Sequence, residues 1–333
     1  MDRTKKLSGG KHPYFRHLYH RWLERIAARK SYPTKAKPGG YLVEITNVCN
    51  LRCKTCNTHK ADRPKAHMPV DVFAKLIERI KAEGITTVGL HTVGEPFMHP
   101  DLEGILRVCK EEGITPALST NAQFPDKIQD LWDKGLIYGL RFSIDGLALV
   151  YEQIRVGGRW AKIKAALEVV RDTNKGRHAS RLPLTIDCVI CKPNLTQVLS
   201  GQYLKYMSHY TFPHMVRFGV VNGLTPDQQA FEEMKSDGVR YVPAIPCAMI
   251  FNAIYFNNKG EATLCCRDYD DKLVIGLALD TPILDLWGSP EAYRLRDAHI
   301  AGRIAACNRC TKPWPGDVQN LNNQIRKRYY SCA

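Results

Sequence analysis

The stretch that decides the fold is Tyr41-Leu-Val-Glu-Ile-Thr46-Asn-Val-Cys49-Asn-Leu-Arg-Cys53-Lys-Thr-Cys56. Its first six residues are mostly apolar and include β-branched side chains, which predicts a strand over Tyr41–Thr46. Three cysteines follow at C-x3-C-x2-C spacing, in the loop after that strand. In barrels of alternating strands and helices, the loops at the carboxyl ends of the strands carry the chemistry. The stretch therefore predicts a thiol-rich loop at the functional end of a first strand.

The spacing of these cysteines indicates a metal site. Three thiolates hold three irons of a [4Fe–4S] cube and leave the fourth iron without a protein ligand. A zinc ion closed by His59 is the alternative, although structural zinc normally has four well-defined ligands, often in paired knuckles. The residues favour the cluster and leave zinc as the second interpretation.

Outward from this stretch, short apolar runs alternate with longer amphipathic segments. The further predicted strands are Thr87–Thr92, Thr115–Ser119, Gly139–Ile144, Leu184–Ile190 and Met215–Val221. The helices predicted between them are Pro69–Glu83, Asp101–Glu112, Pro125–Lys134, Arg159–Thr173 and Asn194–His209. Strands separated by helices of this length imply parallel pairing with right-handed crossovers. We therefore expect an α/β fold, a partial (β/α)6 barrel of the TIM type.

The pattern changes near residue 240. Ala253–Phe256 and Glu261–Cys265 flank a turn with Gly260 and predict a β-hairpin, and Ser289–Ala298 predicts a helix. We expect a small α+β domain over 240–333, after a barrel over 41–239 and a basic extension over 1–40. The residues from Ile325 to Ala333 are expected to form a basic tail.

A second group of cysteines lies in this C-terminal region. Its members are Cys247, Cys265, Cys307 and Cys310. One pair brackets the hairpin and the other forms a C-x2-C knuckle, so together they predict a four-thiolate site. Such a site holds either zinc or a fully ligated [4Fe–4S] cluster, and the spacing does not decide between them.

Composition narrows the class of protein. The chain has 333 residues, 44% of them apolar, and no apolar run reaches the roughly 18 to 20 residues of a membrane span. Twelve cysteines and no recognisable secretory signal lead us to expect a cytoplasmic, metal-binding protein.

The net charge of +15 is uneven, because residues 1–40 alone carry +9. An amphipathic helix is expected there, from Tyr14 to Ile26. Packing of this helix on the protein body is favoured over contact with a membrane surface, and a nucleic-acid partner is not favoured because it leaves both cysteine groups unexplained.

Over about residues 41–225 the sequence resembles the radical S-adenosylmethionine (SAM) superfamily. Besides the cysteine loop, the resemblance rests on Thr92-Val-Gly-Glu-Pro96, Ser119-Thr-Asn-Ala122 and Arg141-Phe-Ser-Ile-Asp-Gly146, each at the end of a predicted strand. It implies that SAM is bound by Thr55, Gly94, Glu95, Pro96, Asn121, Ser143, Asp145 and Arg155. Two positions depart from the family pattern: Thr55 replaces an aromatic residue and Val93 replaces a glycine.

The resemblance also implies the chemistry. SAM bound to the open iron is cleaved reductively, and the resulting 5′-deoxyadenosyl radical removes a hydrogen atom from unactivated carbon. The C-terminal region is similar to the twitch domain, a short form of the SPASM domain, which implies a second, auxiliary [4Fe–4S] cluster held by the four later cysteines. A flavodoxin- or ferredoxin-type electron donor is implied as the protein partner.

Within this superfamily the expected reaction is oxidation of a secondary alcohol on a sugar or aminocyclitol, with the auxiliary cluster accepting an electron. Arg217 and Asp187, on predicted strands, are candidate substrate contacts. A radical epimerase that uses a cysteine as hydrogen donor is one alternative, with Cys191 the candidate and Cys188, Cys266 and Cys332 also available. A maturase that modifies a peptide is the other. Cys109, on the apolar face of a helix, is expected in the core.

Overall fold

A computed structural model of the chain describes residues 37–175, 182–223 and 228–331. Three features expected from the sequence lie outside the described residues. They are the helix from Tyr14 to Ile26, the basic extension up to residue 36 and the thiol of Cys332. No helix among the described residues combines the length and the apolar character needed to cross a membrane.

The barrel strands begin where the apolar runs predict them. They are β1 Gly40–Val43, β2 Thr87–Gly89, β3 Thr115–Thr120, β4 Leu140–Ser143, β5 Leu184–Ile190 and β6 Val216–Val220. The C-terminal region adds β7 Tyr241–Pro243, β8 Ala253–Phe256, β9 Glu261–Thr263, β10 Val274–Leu277 and β11 Thr311–Pro313. Several strands are shorter than predicted, because their last residues turn away into the loops that form the site.

One nine-stranded sheet runs through the described residues in the order β10-β9-β8-β1-β2-β3-β4-β5-β6. Strands β1 to β6 pair in parallel with their sequence neighbours, which confirms the expected α/β partial barrel. Strand β8 adds in parallel to β1, and β9 and β10 follow antiparallel. The C-terminal hairpin therefore extends the barrel sheet. The domain boundary expected at residue 240 stays a prediction.

The helices lie between and after these strands. In the barrel they are α1 Val70–Ala82, α2 Leu102–Glu111, α3 Pro125–Asp133, α4 Ala148–Ile154, α5 Trp160–Asn174, α6 Leu195–Leu199, α7 Gln202–Met207 and α8 Gln228–Met234. The C-terminal region has α9 Met249–Asn252, α10 Ile283–Trp287, α11 Pro290–Ile300, α12 Ala305–Asn308 and α13 Pro315–Ser331. The single helix expected over Asn194–His209 is divided into α6 and α7 at Gly201, whose φ of +81° interrupts the helix.

The barrel sheet has two unlike faces. Along β5, residues from Leu184 to Ile190 alternate between buried and partly exposed, and the buried ones pack with the helices in the main core. The alternate residues of β4, β5 and β6 face the opposite side, where an apolar cluster that includes Phe231 and Met234 of α8 covers Val189 near the end of β5. We call this side the open face, and it carries Arg141, Ser143, Asp187 and Arg217.

The C-terminal tail expected from Ile325 onward is wrong, because Pro315–Ser331 forms helix α13 and Ile325 is fully buried. This helix packs on β6, α6 and α7. Arg326 donates hydrogen bonds of 3.1 Å to the carbonyls of Pro213 and Val216, at the start of the edge strand. The helix thus covers the sheet edge that a partial barrel leaves open.

Candidate active site and cluster sites

The first cysteine group lies in the loop that follows β1. Cys53 is buried, and Cys49 and Cys56 are partly buried. Backbone hydrogen bonds from Arg52 to Val156 and from Lys54 to Ile154, of 2.8 and 2.9 Å, fasten the loop to the end of α4. The loop is therefore held in place by the barrel itself.

The thiols of this loop suit a positively charged ligand. Burial raises the pKa of Cys49 to about 11 and that of Cys53 to about 12, because a charged thiolate is disfavoured away from water. A bound iron–sulfur cluster supplies the positive irons that thiolates need as partners. We conclude that Cys49, Cys53 and Cys56 fit an iron–sulfur cluster.

The zinc alternative is not supported by the described side chains. His59, which would have to complete the zinc site, is exposed on a short 3-10 turn at Thr58–Lys60. No three His, Cys, Asp or Glu side chains in the described ranges gather closely enough to hold a single ion. A four-iron cluster is larger than one ion and takes ligands that stand further apart.

Gly94 and Glu95 bring the loop after β2 against the cysteine loop. Gly94 has φ of +77°, and a Cβ placed there would lie 2.2 Å from the carbonyl oxygen of Thr46. The backbone N–H of Glu95 donates to the carbonyl of Val48 at 2.8 Å, and Pro96 next to it is buried. Only glycine permits this close approach.

The Glu95 carboxylate joins two strand-end loops. It accepts hydrogen bonds of 2.7 Å from the Thr120 hydroxyl and from the Asn121 backbone N–H, and one of 3.1 Å from the Phe97 N–H. Burial raises the pKa of Glu95 to about 7. Both carboxylate oxygens thus accept hydrogen bonds from the protein. The Glu95 side chain therefore holds the loops after β2 and β3 together.

Asp145 and Arg155 form a buried ion pair beneath the cysteine loop. Arg155 Nε donates to Asp145 Oδ2 at 2.8 Å, and the Val189 N–H donates to Oδ1 at 2.7 Å. Burial alone would lower the pKa of Arg155, but the Asp145 charge outweighs it and the pKa is raised. The pair holds the Arg155 guanidinium next to Cys53 of the cysteine loop.

The other predicted SAM residues lie around the same strand ends. Asn121 is buried and donates to the Asn50 side chain, inside the cysteine loop, at 2.8 Å. Ser143 ends β4 on the open face, and Thr55 is partly exposed on the loop. The structure therefore gathers all eight predicted residues at the carboxyl ends of β1 to β4, and their contacts with SAM stay a prediction.

Asp187 and Arg217 are paired on the open face. Arg217 donates to both Asp187 oxygens, at 2.6 and 2.7 Å, across neighbouring positions of β5 and β6. Arg141, on β4, places its Nε 3.6 Å from Asp187 Oδ2. His91 follows β2, and the charges of all three residues act on its pKa.

Cys191 lies apart from this group. It is fully buried in a small apolar cluster with Ile154, Val221, Phe231 and Met234. Its side chain is therefore enclosed by apolar residues, with Val189 of β5 packed against them. Cys188, at 1% exposure, and Cys109, fully buried, belong to the main core.

The second cysteine group surrounds one cavity of about 580 Å³, to which Cys247, Cys265, Cys307 and Cys310 all contribute. Cys266 does not line it, although it is adjacent to Cys265 in the chain. Four cysteine thiols around one cavity can supply the donor set of a fully ligated cluster. The four residues therefore fit an auxiliary [4Fe–4S] cluster.

The auxiliary cavity reaches the first cysteine loop. Asn57 and Lys60, just after Cys56, line its wall together with Tyr269. Arg63 forms ion pairs with Glu44, at the end of β1, and with Asp271, in the C-terminal region. Both cysteine sites therefore belong to one packed unit.

Sequence reasoning gave no role to His91, Arg141 or Arg63. A sequence signal exists for Arg141. It precedes Ser143, a predicted SAM contact, by two residues, and a spacing of two keeps side chains on one face of a strand. No comparable local pattern reveals Arg63, because its partners Glu44 and Asp271 are distant in the chain.

Comparisons with known proteins agree with this geometry. The model of the radical SAM superfamily matches residues 43–185, and that of the SPASM iron–sulfur cluster-binding domain matches residues 247–311. The tungsten-containing aldehyde ferredoxin oxidoreductase cofactor-modifying protein of Pyrococcus furiosus is 26% identical over 287 residues, which cover 80% of this chain and 75% of that protein.

Two further matches are more limited. The PqqA peptide cyclase of Methylorubrum populi is 30% identical over 165 residues, 48% of this chain but only 41% of that protein. The crystal structure of BtrN in complex with AdoMet and 2-DOIA aligns with a TM-score of 0.55 at 14% identity, covering 83% of this chain and 94% of that one. The BtrN match demonstrates a shared fold.

Proposed function

This chain belongs to the radical SAM superfamily and carries a SPASM-type iron–sulfur domain, and on that basis we propose that it oxidises a secondary alcohol of a sugar or aminocyclitol. The observation that carries the proposal is the auxiliary cavity. Its four cysteines line one cavity and would supply a thiolate to each iron of a cluster, so the group held there would be suited to accept an electron rather than to bind substrate. A ferredoxin- or flavodoxin-type protein is proposed as the electron donor.

The roles of the chain's residues follow from their positions. When bound, SAM and the [4Fe–4S] cluster supply the one-electron chemistry that removes a hydrogen atom from carbon. Ser143, Asn121 and Arg155 are proposed to orient SAM, and the backbone of Gly94 to Pro96 to border it. Asp187 and Arg217, on the open face below, are proposed substrate contacts.

His91 is proposed as the acceptor of the hydroxyl proton. Its Nδ1 lies 3.2 Å from the carbonyl oxygen of Ala117, which only accepts hydrogen bonds, so Nδ1 carries a proton. Burial, assisted by the charge of Arg141, lowers the pKa of His91, which keeps the ring neutral. Nε2 then retains the lone pair that a general base needs.

Peptide modification is the second candidate, because the PqqA peptide cyclase matches about half of this chain. The match to the cofactor-modifying protein of Pyrococcus furiosus spans more of the chain, 80%, and favours a substrate other than a peptide. The epimerase alternative is weakened, since the thiols of Cys188 and Cys191 are both buried. Among the described cysteines outside the two cluster groups, Cys266 is the partly exposed one.

The test uses anaerobically reconstituted full-length protein with a panel of sugars, sugar phosphates, sugar acids and aminocyclitols in D2O. We expect one ketone for each SAM consumed and no deuterium in the product. Deuterium at an inverted carbon would support the epimerase. Turnover of a precursor peptide, with none of the small molecules oxidised, would support the maturase and overturn the proposal.

Matched cysteine variants test the electron acceptor. Wild type should hold about eight irons and Cys265→Ser about four, whereas the neighbouring Cys266→Ser should keep about eight. Cys265→Ser should still cleave SAM but form no ketone, and Cys53→Ala should lose SAM cleavage. Normal ketone formation by Cys265→Ser would show that the second cluster is not the acceptor.

A further inference from the structure

The open face carries an excess of positive charge. Arg141 and Arg217 lie on either side of one acid, Asp187, and the nearby His91 is held neutral. One carboxylate cannot neutralise two guanidinium groups, and arginine stays protonated at any physiological pH. The local net charge is therefore positive, in the barrel interior below the residues proposed to bind SAM.

The two arginines are used unequally. Arg217 donates two hydrogen bonds to Asp187, in a bidentate pair. The Arg141 guanidinium approaches Asp187 only at 3.6 Å and donates no hydrogen bond to any side chain or carbonyl within the described ranges of the chain. About a third of its side chain is exposed, at 33%. Its donors are thus available to a ligand that enters from the open face.

The charge of Arg141 is opposed by its surroundings, with Asp187 as the counter-charge. Burial, and then the like charge of Arg217, lower the pKa of Arg141. Strands β4 and β6 nevertheless present both guanidinium groups around Asp187. A planar guanidinium recognises carboxylate and phosphate oxygens with paired hydrogen bonds.

We propose that Arg141 and Arg217 form a binding site for a carboxylate or phosphate group of the substrate. The inference rests on the proposed function in taking this face as the substrate site, and it adds that the alcohol to be oxidised belongs to an anionic molecule. Asp187 positions Arg217. It also limits the affinity of the site for the anion, because it competes with the anion for the N–H donors of Arg217.

The carboxylate of SAM is not the expected occupant. Ser143, the proposed SAM contact, ends β4, and Arg141 lies two residues earlier on the same face. Two residues of a strand span about 6.6 Å, so Arg141 is deeper in the barrel. The site therefore has room to be filled while SAM is bound.

The experiment measures binding of inorganic phosphate and of acetate to the reconstituted protein by calorimetry, at constant ionic strength and with saturating SAM. Arg141→Gln should weaken binding of the preferred anion by about tenfold or more, because a charged hydrogen-bond pair is lost. Arg107→Gln is the matched control, since that arginine is 54% exposed and pairs with Glu103 on a helix surface. It should bind like wild type.

Asp187→Asn provides a test that misfolding cannot mimic. Removing the competing carboxylate frees Arg217, so anion binding should become several-fold tighter. Unchanged binding in both Arg141→Gln and Asp187→Asn would overturn the proposal, and so would loss of anion binding on addition of SAM. Reductive SAM cleavage and ketone formation are measured separately, so failure of the anion site is distinguishable from failure of the proposed oxidation.

Discussion

At the scale of single residues, the site depends on a few close approaches that tolerate no substitute. Gly94 is the clearest, because its backbone contacts Thr46 in the segment that leads into the cysteine loop. Any side chain at this position would separate the loop after β2 from the loop after β1. The residues proposed to border SAM would then no longer be held in fixed positions relative to the cysteine loop.

Gly94→Ala should weaken SAM binding by about tenfold or more, because a displacement of even 1 Å at a positioning contact is costly. Gly113→Ala is the control: it has a similar φ of +68°, but nothing lies within 4 Å of the added methyl group. It should bind SAM like wild type in an equilibrium titration. Equal losses in the two variants would assign the effect to backbone strain rather than to the contact with Thr46.

At the scale of elements, helix α13 completes the barrel at the edge that a partial sheet leaves open. Arg326 donates to carbonyls at the start of β6, and Asn322 reaches the Phe218 carbonyl at 3.4 Å. Ile325, on the inner face of this helix, is fully buried. The basic composition of this segment suggested a tail, but its apolar residues at helical spacing decide its structure once β6 is present.

Ile325→Ala should lower the free energy of unfolding by about 2–5 kcal/mol, the usual cost of a large-to-small change in a core. The matched variant is Gln324→Ala, at an exposed position of the same helix, which should unfold like wild type. Urea unfolding followed by circular dichroism measures both. An unchanged midpoint for Ile325→Ala would show that α13 does not stabilise the barrel edge.

At the scale of the whole molecule, buried charges connect the two cysteine sites. Arg63 follows the first cysteine loop and is 8% exposed, while its partners Glu44 and Asp271 are 3% and 13% exposed. Burial raises the pKa of Glu44 to about 7, with Arg63 acting in the opposite direction. The arginine therefore keeps the end of β1 and the C-terminal region together.

Arg63→Gln should destabilise the protein by about 3–5 kcal/mol, because it leaves Glu44 buried without its cation. Lys259→Gln is the control, since Lys259 is 63% exposed and lies 3.7 Å from the same Asp271. That change should cost at most about 1 kcal/mol. Urea unfolding of the reconstituted proteins compares them, and equal midpoints would mean that Arg63 contributes no net stability.

Much of the architecture was readable from the sequence. The alternation of apolar runs and amphipathic segments predicted β1 to β6 with errors of a few residues. Cysteine spacing predicted two thiolate metal sites, and the family resemblance implied that both hold [4Fe–4S] clusters. Local patterns suffice there, since strand and helix periodicity are properties of neighbouring residues. The division at Gly201 was missed because a glycine inside a helical pattern is usually tolerated.

By itself, the sequence determined the fold class, the first cysteine loop and the composition of the second cysteine group. Only the tertiary structure decided that Arg141, Asp187 and Arg217 meet on one face and that Arg63 joins two regions of the chain. The reason is physical: periodicity assigns a side chain to a face of its own element, whereas its neighbours depend on strand order and register. Electrostatic partners more than 200 positions apart, such as Arg63 and Asp271, leave no local pattern in the sequence.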